Sequence, residues 1–322
     1  MRKLFLIALP FLALIAAALG LRTPDTDRAA MEATYTDAAS RFAESPTGLR
    51  VHYRDQGNPD GIPIVLLHGM AGSLHIYEDL IDYLGDEYRL ISLTFPGHGL
   101  TGPHPEDDYS IDGMLEALDL VTETLSLDRF VLAGHSMGGR HAWRYALDNQ
   151  DKLSALVLIA PSGAPTSDTE PTKSNIGFRL AQTSAGRFLL QHYTPRSIIA
   201  KSTYQSVSED YESLVTDDFI DRHWRMLRYP GNRRAAALIM SDRNFSVEFD
   251  RVGEITESTL IIWGAKDDIL SVSGAQAFGD AMANADVVIY EDVGHLPLFE
   301  QAERTALDID AFLERTVKRA GN

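Results

Sequence analysis

A serine stands in a glycine-flanked turn between an apolar strand and a helix. The run 130–133 is continuously apolar, Ser136 lies within G-H-S-M-G, and a helical pattern follows. A serine hydroxyl is a weak nucleophile unless it projects clear of the backbone beside a base. A sharp strand-to-helix turn projects it in this way, and only small residues fit two positions either side, here Gly134 and Gly138. The context therefore predicts a nucleophilic serine at the end of a buried strand.

Strand-like and helix-like patterns alternate along most of the chain. The predicted strands are 49–55, 64–67, 88–93, 130–133, 156–159, 260–263 and 287–290. Continuous apolar runs of this kind are typical of parallel strands that are buried on both faces. The predicted helices between and after them include 111–125, 136–147 and 302–317. This alternation predicts right-handed crossovers and an α/β fold with a doubly wound, mostly parallel sheet.

One long stretch, from about residue 165 to residue 250, breaks the alternation because it contains no apolar strand run. Helix-like segments lie there instead, at 176–192, 217–227 and 234–240. We predict that 165–250 is a mostly helical cap inserted over the sheet. The core would then be formed by 48–164 and 251–322.

The first 22 residues have the composition of a membrane-targeting segment. Two basic residues precede an apolar run from Leu4 to Leu21, a length at the border between a signal-peptide core and a minimal membrane span. A retained anchor is favoured because the run continues past the small residues 16–18; cleavage there would instead give a secreted or periplasmic protein. In either case the remainder of the chain is expected on the non-cytoplasmic side. The polar stretch 23–47 predicts a tether with at most one short helix.

Composition and motifs exclude several classes of function. A net charge of −17 repels phosphate backbones, which argues against a nucleic-acid partner. The absence of cysteine excludes a thiol nucleophile and a disulfide framework. The stretch from Gly97 to Gly102 matches G-x-G-x-x-G, but Pro103 and Pro105 argue against the helix that a dinucleotide site requires. No H-E-x-x-H or tight histidine cluster is present, so neither a cofactor nor a metal is expected.

Three further loops follow predicted strands and carry groups that complete a serine nucleophile. Asp267 and Asp268 follow one strand and His295 follows the last, so the chain order is serine, acid, histidine. The acid holds the histidine tautomer and stabilises the imidazolium that forms. A Gly-rich loop after an earlier strand contains Met70, whose backbone N–H is expected to form an oxyanion hole with that of Met137.

Taken in order, these motifs resemble the α/β-hydrolase superfamily, in its group of esterases, lipases, C–C hydrolases and haloperoxidases. The similarity runs from about residue 49 to residue 312. It rests on H-G-x-x-G at His68, the turn at Ser136, G-x-x-D ending at Asp267 and G-H at His295. The resemblance implies that the helical insertion is the variable cap of this family.

The resemblance also selects Asp267 over Asp268, because the acid of this family stands third after the glycine. Two positions depart from the family pattern. The usual aspartate before the P-G-x-G turn is Thr94 here, and the position two residues after Glu300, where a proline is often found in the family, is Ala302. Neither departure touches the predicted triad.

The expected reaction is hydrolysis of a carboxylic ester, either a lipid or another apolar small molecule, through an acyl-enzyme. Serine at the turn argues against dehalogenase and epoxide hydrolase chemistry, which use an aspartate there in this superfamily. C–C bond hydrolysis and perhydrolysis stay open because they use the same triad. A non-catalytic ligand-binding receptor on the same scaffold is the alternative of another class. The sequence indicates neither the substrate nor the oligomeric state.

Overall fold

An eight-stranded sheet forms the centre of the molecule, in a computed structural model that describes residues 22–165, 176–241 and 248–318. The strands are β1 (Ser40–Glu44), β2 (Arg50–Gly57), β3 (Pro63–Leu67), β4 (Arg89–Leu93), β5 (Phe130–His135), β6 (Leu153–Ile159), β7 (Thr259–Gly264) and β8 (Ala285–Tyr290). Their order is β1-β2-β4-β3-β5-β6-β7-β8; β2 is antiparallel to both of its neighbours and all other pairs are parallel. The predicted α/β fold with a mostly parallel sheet is confirmed.

Helices cover the sheet and form a separate group between β6 and β7. They are α1 (Arg28–Tyr35), α2 (Glu78–Leu84), α3 (Ile111–Thr124), α4 (Met137–Asp148), α5 (Ile176–Ala181), α6 (Ser184–His192), α7 (Arg196–Ser206), α8 (Asp217–Leu227), α9 (Asn232–Ile239), α10 (Ser273–Ala281), α11 (Pro297–Glu300) and α12 (Ala302–Leu313). Short 3₁₀ segments are Leu74–Tyr77, Gln150–Lys152, Glu209–Leu214 and Phe249–Glu254, and a π-helical turn, Glu314–Lys318, follows α12.

Alternate residues of the central strands enter two separate apolar cores. On β3, Val65 and Leu67 join the core that contains α3, α4 and α10, whereas Ile64 and Leu66 join the core of α2 and α12. Successive strand side chains point to opposite faces of a sheet, so a fully apolar strand needs a helical layer on each face. Strand β8 differs from this pattern because it lies at the edge, and Val287 and Ile289 on it are each 39% exposed.

The segment 23–47 is part of the fold, so the prediction of a polar tether is wrong for it. Strand β1 pairs with β2 along its whole length, and Asp27 caps α1 by accepting from the Ala30 N–H. Met31 of α1 packs in a buried cluster with Met226 and Tyr229 of the cap region. The sequence looked like a tether because β1 is an edge strand with mostly polar side chains, and α1 buries only one residue.

Helices α5 to α9 lie within the segment predicted as the cap. Helix α7 is not predicted by the apolar pattern, because only one of its eleven residues, Thr203, is buried. Within the described ranges, no helix is both long and apolar enough to cross a bilayer. The apolar run 4–21 lies outside those ranges.

Candidate active site

The turn between β5 and α4 holds Ser136 in a strained backbone conformation. Its φ is 54° and its ψ is −116°, a region that costs a residue with a side chain about 1–3 kcal/mol. Backbone crowding explains the two flanking glycines. A Cβ on Gly134 would lie 2.3 Å from the carbonyl oxygen of Gly138, and a Cβ on Gly138 would lie 2.0 Å from that of Leu67. The sharp turn therefore places the serine at the start of α4, at the carboxyl end of the sheet.

The structure brings Ser136, His295 and Asp267 together in one hydrogen-bonded chain. The Nε2 atom of His295 is 3.0 Å from the Oγ atom of Ser136, and its Nδ1 atom is 2.7 Å from the Oδ2 atom of Asp267. The His295 residue is 5% exposed, and the Asp267 side chain is fully buried. A neutral imidazole in this position donates from Nδ1 to the carboxylate and accepts the serine proton at Nε2.

Asp267 is held by four donors in total, which fixes its carboxylate toward the histidine. Its Oδ1 atom accepts the backbone N–H groups of Ile269 and Leu270, both at 2.8 Å. Its Oδ2 atom accepts from the indole Nε1 of Trp263 at 3.1 Å in addition to His295. Asp268, the neighbouring candidate, is exposed. The structure thus places Asp267 against the histidine, in agreement with the spacing of the G-x-x-D motif.

Two other histidines are neutral and hold loops of the site in place by hydrogen bonds. His135 donates from Nε2 to the carbonyl oxygen of His295 at 2.9 Å, and burial together with the nearby His295 lowers the pKa of His135 to about 3. His68 donates from Nδ1 to the carbonyl oxygen of Gly69 and accepts the Phe95 N–H at Nε2. Burial lowers the pKa of His68 well below its ordinary value. His68 therefore ties the Gly-rich loop to the end of β4, a role that sequence reasoning did not assign.

The two predicted oxyanion donors lie on segments that border the serine. Gly69 approaches so closely that a Cβ on it would lie 3.1 Å from the Cβ atom of Ser136. Met70 is the next residue of that loop, and Met137 opens α4. Neither the Met70 nor the Met137 backbone N–H has an acceptor within the described part of the chain. An oxyanion hole formed by these two N–H groups stays a prediction.

A cavity of about 110 Å³ opens at Ser136 between the core and the cap. The cap contributes side chains from α7 and α8: Ile199, Ser202, Thr203, Ser206, Phe219, His223 and Leu227. None of the described residues that line this cavity is an aspartate, glutamate, lysine or arginine. A larger cavity of about 460 Å³ shares Ile76 and Phe219 with it but does not contain the triad. The smaller cavity is therefore the one in which the reaction would occur.

The sequence matches the family described as alpha/beta hydrolase fold over residues 62–302. Because this match covers well over half of the chain, the protein belongs to that family, and the resemblance inferred from its motifs is confirmed.

Several known proteins are similar to this chain. Monoacylglycerol lipase ABHD6 of Homo sapiens is 28% identical over 268 residues, which cover 81% of this chain and 78% of that protein. The 2-hydroxy-6-oxononadienedioate/2-hydroxy-6-oxononatrienedioate hydrolase 1 of Dechloromonas aromatica is 23% identical, and the match covers 84% and 94%. The structure of a thermophilic esterase from Thermogutta terrifontis superposes with a TM-score of 0.72 and 25% identity, covering 87% of this chain and 100% of that one. The protein is a hydrolase of the alpha/beta type, and two of these similar proteins carry the names of ester-cleaving enzymes.

Proposed function

We propose that this enzyme hydrolyses carboxylic esters of apolar small molecules through an acyl-enzyme on Ser136. The observation that carries the proposal is the continuous hydrogen-bonded chain from Asp267 through His295 to the serine Oγ atom. Three groups in this order supply a nucleophile, a base and an anion that stabilises the protonated base.

Each step of the reaction follows from the contacts of these groups. The Ser136 Oγ atom attacks the ester carbonyl carbon while its proton passes to Nε2 of His295. The Met70 and Met137 N–H groups stabilise the oxyanion, each donor contributing roughly 3 kcal/mol to the transition state. His295 then protonates the leaving alcohol, which departs and leaves the acyl group on Ser136. In the second half of the reaction, His295 removes a proton from a water molecule, which attacks the acyl carbon, and the proton returns to the Ser136 Oγ atom as the acid leaves.

The lining of the cavity favours an uncharged substrate. A carboxylate or ammonium group of the substrate would lose its hydration there, which is costly, and the described lining residues offer no lysine, arginine, aspartate or glutamate as an ionic partner. This argues against a dioate substrate such as the one in the name of the Dechloromonas relative, and with it against C–C hydrolysis of such compounds. The monoacylglycerol in the name of the human relative carries no charge and agrees with the lining.

Turnover of p-nitrophenyl esters of increasing acyl length tests the proposal. We expect hydrolysis of neutral esters, loss of activity in Ser136→Ala, and no turnover of 2-hydroxy-6-oxononadienedioate, the dioate in the name of the Dechloromonas relative. Efficient cleavage of the dioate with poor ester turnover would instead support C–C hydrolysis. Absence of any reaction with esters, perhydrolysis substrates and fluorophosphonates would support a receptor.

We infer that the run 4–21 is a retained anchor that places the enzyme at a membrane surface. The run would join the folded domain at Thr23, whose N–H donates to the carbonyl oxygen of His192 in the cap region. We expect the full-length protein to sediment with membranes and to resist carbonate extraction. A mature N-terminus within or after the alanines 16–18, found by mass spectrometry, would show a cleaved signal peptide instead.

A further inference from the structure

A buried carboxylate on α11 has no role in the steps described above. Glu300 is 5% exposed, and no lysine or arginine in the described ranges pairs with it. Three backbone N–H groups donate to its side chain instead. Its Oε2 atom accepts from Ser208 and Gly294, both at 2.8 Å, and its Oε1 atom accepts from Leu296 at 2.9 Å. Burial raises the pKa of this carboxyl, and the three donors act in the opposite direction.

Two of these donors lie on either side of the catalytic histidine. Gly294 and Leu296 are the residues immediately before and after His295, so the carboxylate of Glu300 binds the backbone on both sides of the residue that carries the imidazole. The third donor, Ser208, belongs to the cap region, two residues after the end of α7. One side chain therefore joins the histidine loop to the cap.

Other contacts bring the same two segments together. The His295 N–H donates to the carbonyl oxygen of Ser206, the last residue of α7, at 2.9 Å. A Cβ on Gly294 would lie only 2.7 Å from the Ser208 nitrogen, so the two backbones are in direct contact. Because Ser206 and other α7 residues line the cavity at Ser136, this junction links the substrate-binding wall to the base.

We propose that Glu300 is a positioning residue that holds His295 in line with Ser136 and couples this alignment to helix α7. The inference rests on the proposed function, since its effect is on the proton transfer in ester hydrolysis. A displacement of about 1 Å in a catalytic group is enough to reduce a rate on the order of 100-fold. Glu300 touches neither the serine nor the reacting atoms and acts through the backbone on both sides of the histidine.

Glu300→Gln tests this directly because it keeps the size of the side chain. The amide nitrogen cannot accept an N–H, so at least one of the three bonds is lost and replaced by two facing donors. We expect kcat per active site, counted by fluorophosphonate titration, to fall on the order of 100-fold with a small change in KM. Glu303→Gln, an exposed change three residues further on, is the matched control and should behave as the wild type.

The cap side of the junction offers a second test should Glu300→Gln fail to fold. Ser208 has φ −69° and follows Val207 in an extended conformation, so the backbone angles allow a proline at position 208, and its ring would press on the Glu300 carboxylate and on Gly294. Ser208→Pro removes the N–H that binds Glu300, whereas Ser208→Ala keeps it and removes only the hydroxyl. We expect kcat per active site to fall in the proline variant and to stay unchanged in the alanine variant.

The outcomes separate this inference from the proposed function. If the wild type hydrolyses esters and Ser136→Ala does not, but Glu300→Gln and Ser208→Pro both match their controls in kcat per active site, the inference on Glu300 is wrong. If these variants only lower the melting temperature, the role of Glu300 is structural and the inference is again wrong. If the wild type hydrolyses no ester, it is the proposed function that fails.

Discussion

The catalytic loops and the cap are built in different ways, although both line the same cavity. Asp267 accepts two backbone N–H groups, the His295 N–H donates to the backbone of Ser206, and the Asp267 side chain and the His295 residue are almost entirely buried. The cap helices expose large apolar side chains; Phe188 of α6 is 55% exposed and Ile198 of α7 is 51% exposed. The first region is preorganised for one reaction, whereas the second presents a surface that sets what can reach it. Changes in the core should therefore abolish turnover, and changes in the cap should alter preference.

Ser136→Ala should have the largest effect. Loss of a triad nucleophile typically reduces turnover by a factor on the order of a million, and no other described hydroxyl that lines the cavity is hydrogen-bonded to the His295 ring. Steady-state kinetics on a short p-nitrophenyl ester, with circular dichroism to verify folding, measures this. Retention of a tenth of the wild-type rate would show that another residue performs the attack.

Asp267→Asn should come next, with a loss of roughly 10⁴-fold by analogy with serine proteases. The amide removes the anion that stabilises the protonated His295 and disturbs the donors that converge on this side chain. Asp268→Asn, on the exposed neighbour, is the control and should change kcat/KM little. Equal losses in both variants would contradict the assignment of the acid.

Acid should destabilise the core through its buried histidines. Burial lowers the pKa of His68 well below its ordinary value, that of His98 to about 4 and that of His135 to about 3. Below the ordinary histidine pKa of about 6.5, these histidines bind protons in the unfolded chain but stay neutral in the folded protein. The free energy of unfolding therefore falls as the pH falls toward 4. Each such histidine contributes about 1.4 kcal/mol per pH unit in that window. Urea unfolding at several pH values measures the slope; a free energy of unfolding that does not change from pH 6.5 to 4.5 would contradict it.

Phe219→Leu should change acyl preference rather than chemistry. Phe219 of α8 lines the cavity and is 8% exposed, so a smaller side chain deepens the space beside the serine. We expect kcat/KM to shift toward longer acyl chains by roughly 10-fold, the scale of one or a few methylenes. Phe188→Ala, on the exposed face of α6, should leave the chain-length profile unchanged. A shift in Phe188→Ala alone would place the acyl site elsewhere in the cap.

Removal of residues 1–21 should have the smallest effect on catalysis. The described contacts of the N-terminal segment with the cap begin at Thr23, so a chain that starts at residue 22 keeps all of them. We expect unchanged kcat/KM on a soluble ester and an unchanged melting temperature. A chain that starts at residue 36, which also lacks α1, should lose stability because Met31 and Glu32 contact the cap region. Equal stability of the two shortened chains would contradict a supporting role for α1.

The sequence predicts the catalytic loops well, but it does not predict helix α7 of the cap or strand β1. The motifs around Ser136, Asp267 and His295 are predictable because local backbone demands, such as the glycines of the turn, restrict which residues fit. Helix α7 is not predictable from periodicity, since its neighbours bury almost none of its side chains. Strand β1 resembles a linker because its side chains are mostly polar, and only its pairing with β2 defines it.

Glu300 is a third case, and it belongs to neither group. A lone glutamate is usually a solvated residue, and the family pattern that includes the position of Glu300 does not indicate its partners, which are two backbone donors of the neighbouring histidine loop and one of the distant cap turn. Only the folded arrangement of the cap turn and the histidine loop gives it partners. Long-range polar contacts of this kind leave no periodic signal in a sequence.

Covalent labelling tests the central claim most directly. The wild-type enzyme would be treated with a fluorophosphonate, digested and mapped by mass spectrometry, with Ser136→Ala treated in parallel. The account predicts one modified residue, Ser136, and parallel loss of ester hydrolysis as labelling proceeds. An unlabelled Ser136, or full ester hydrolysis after it is fully labelled, would contradict the account.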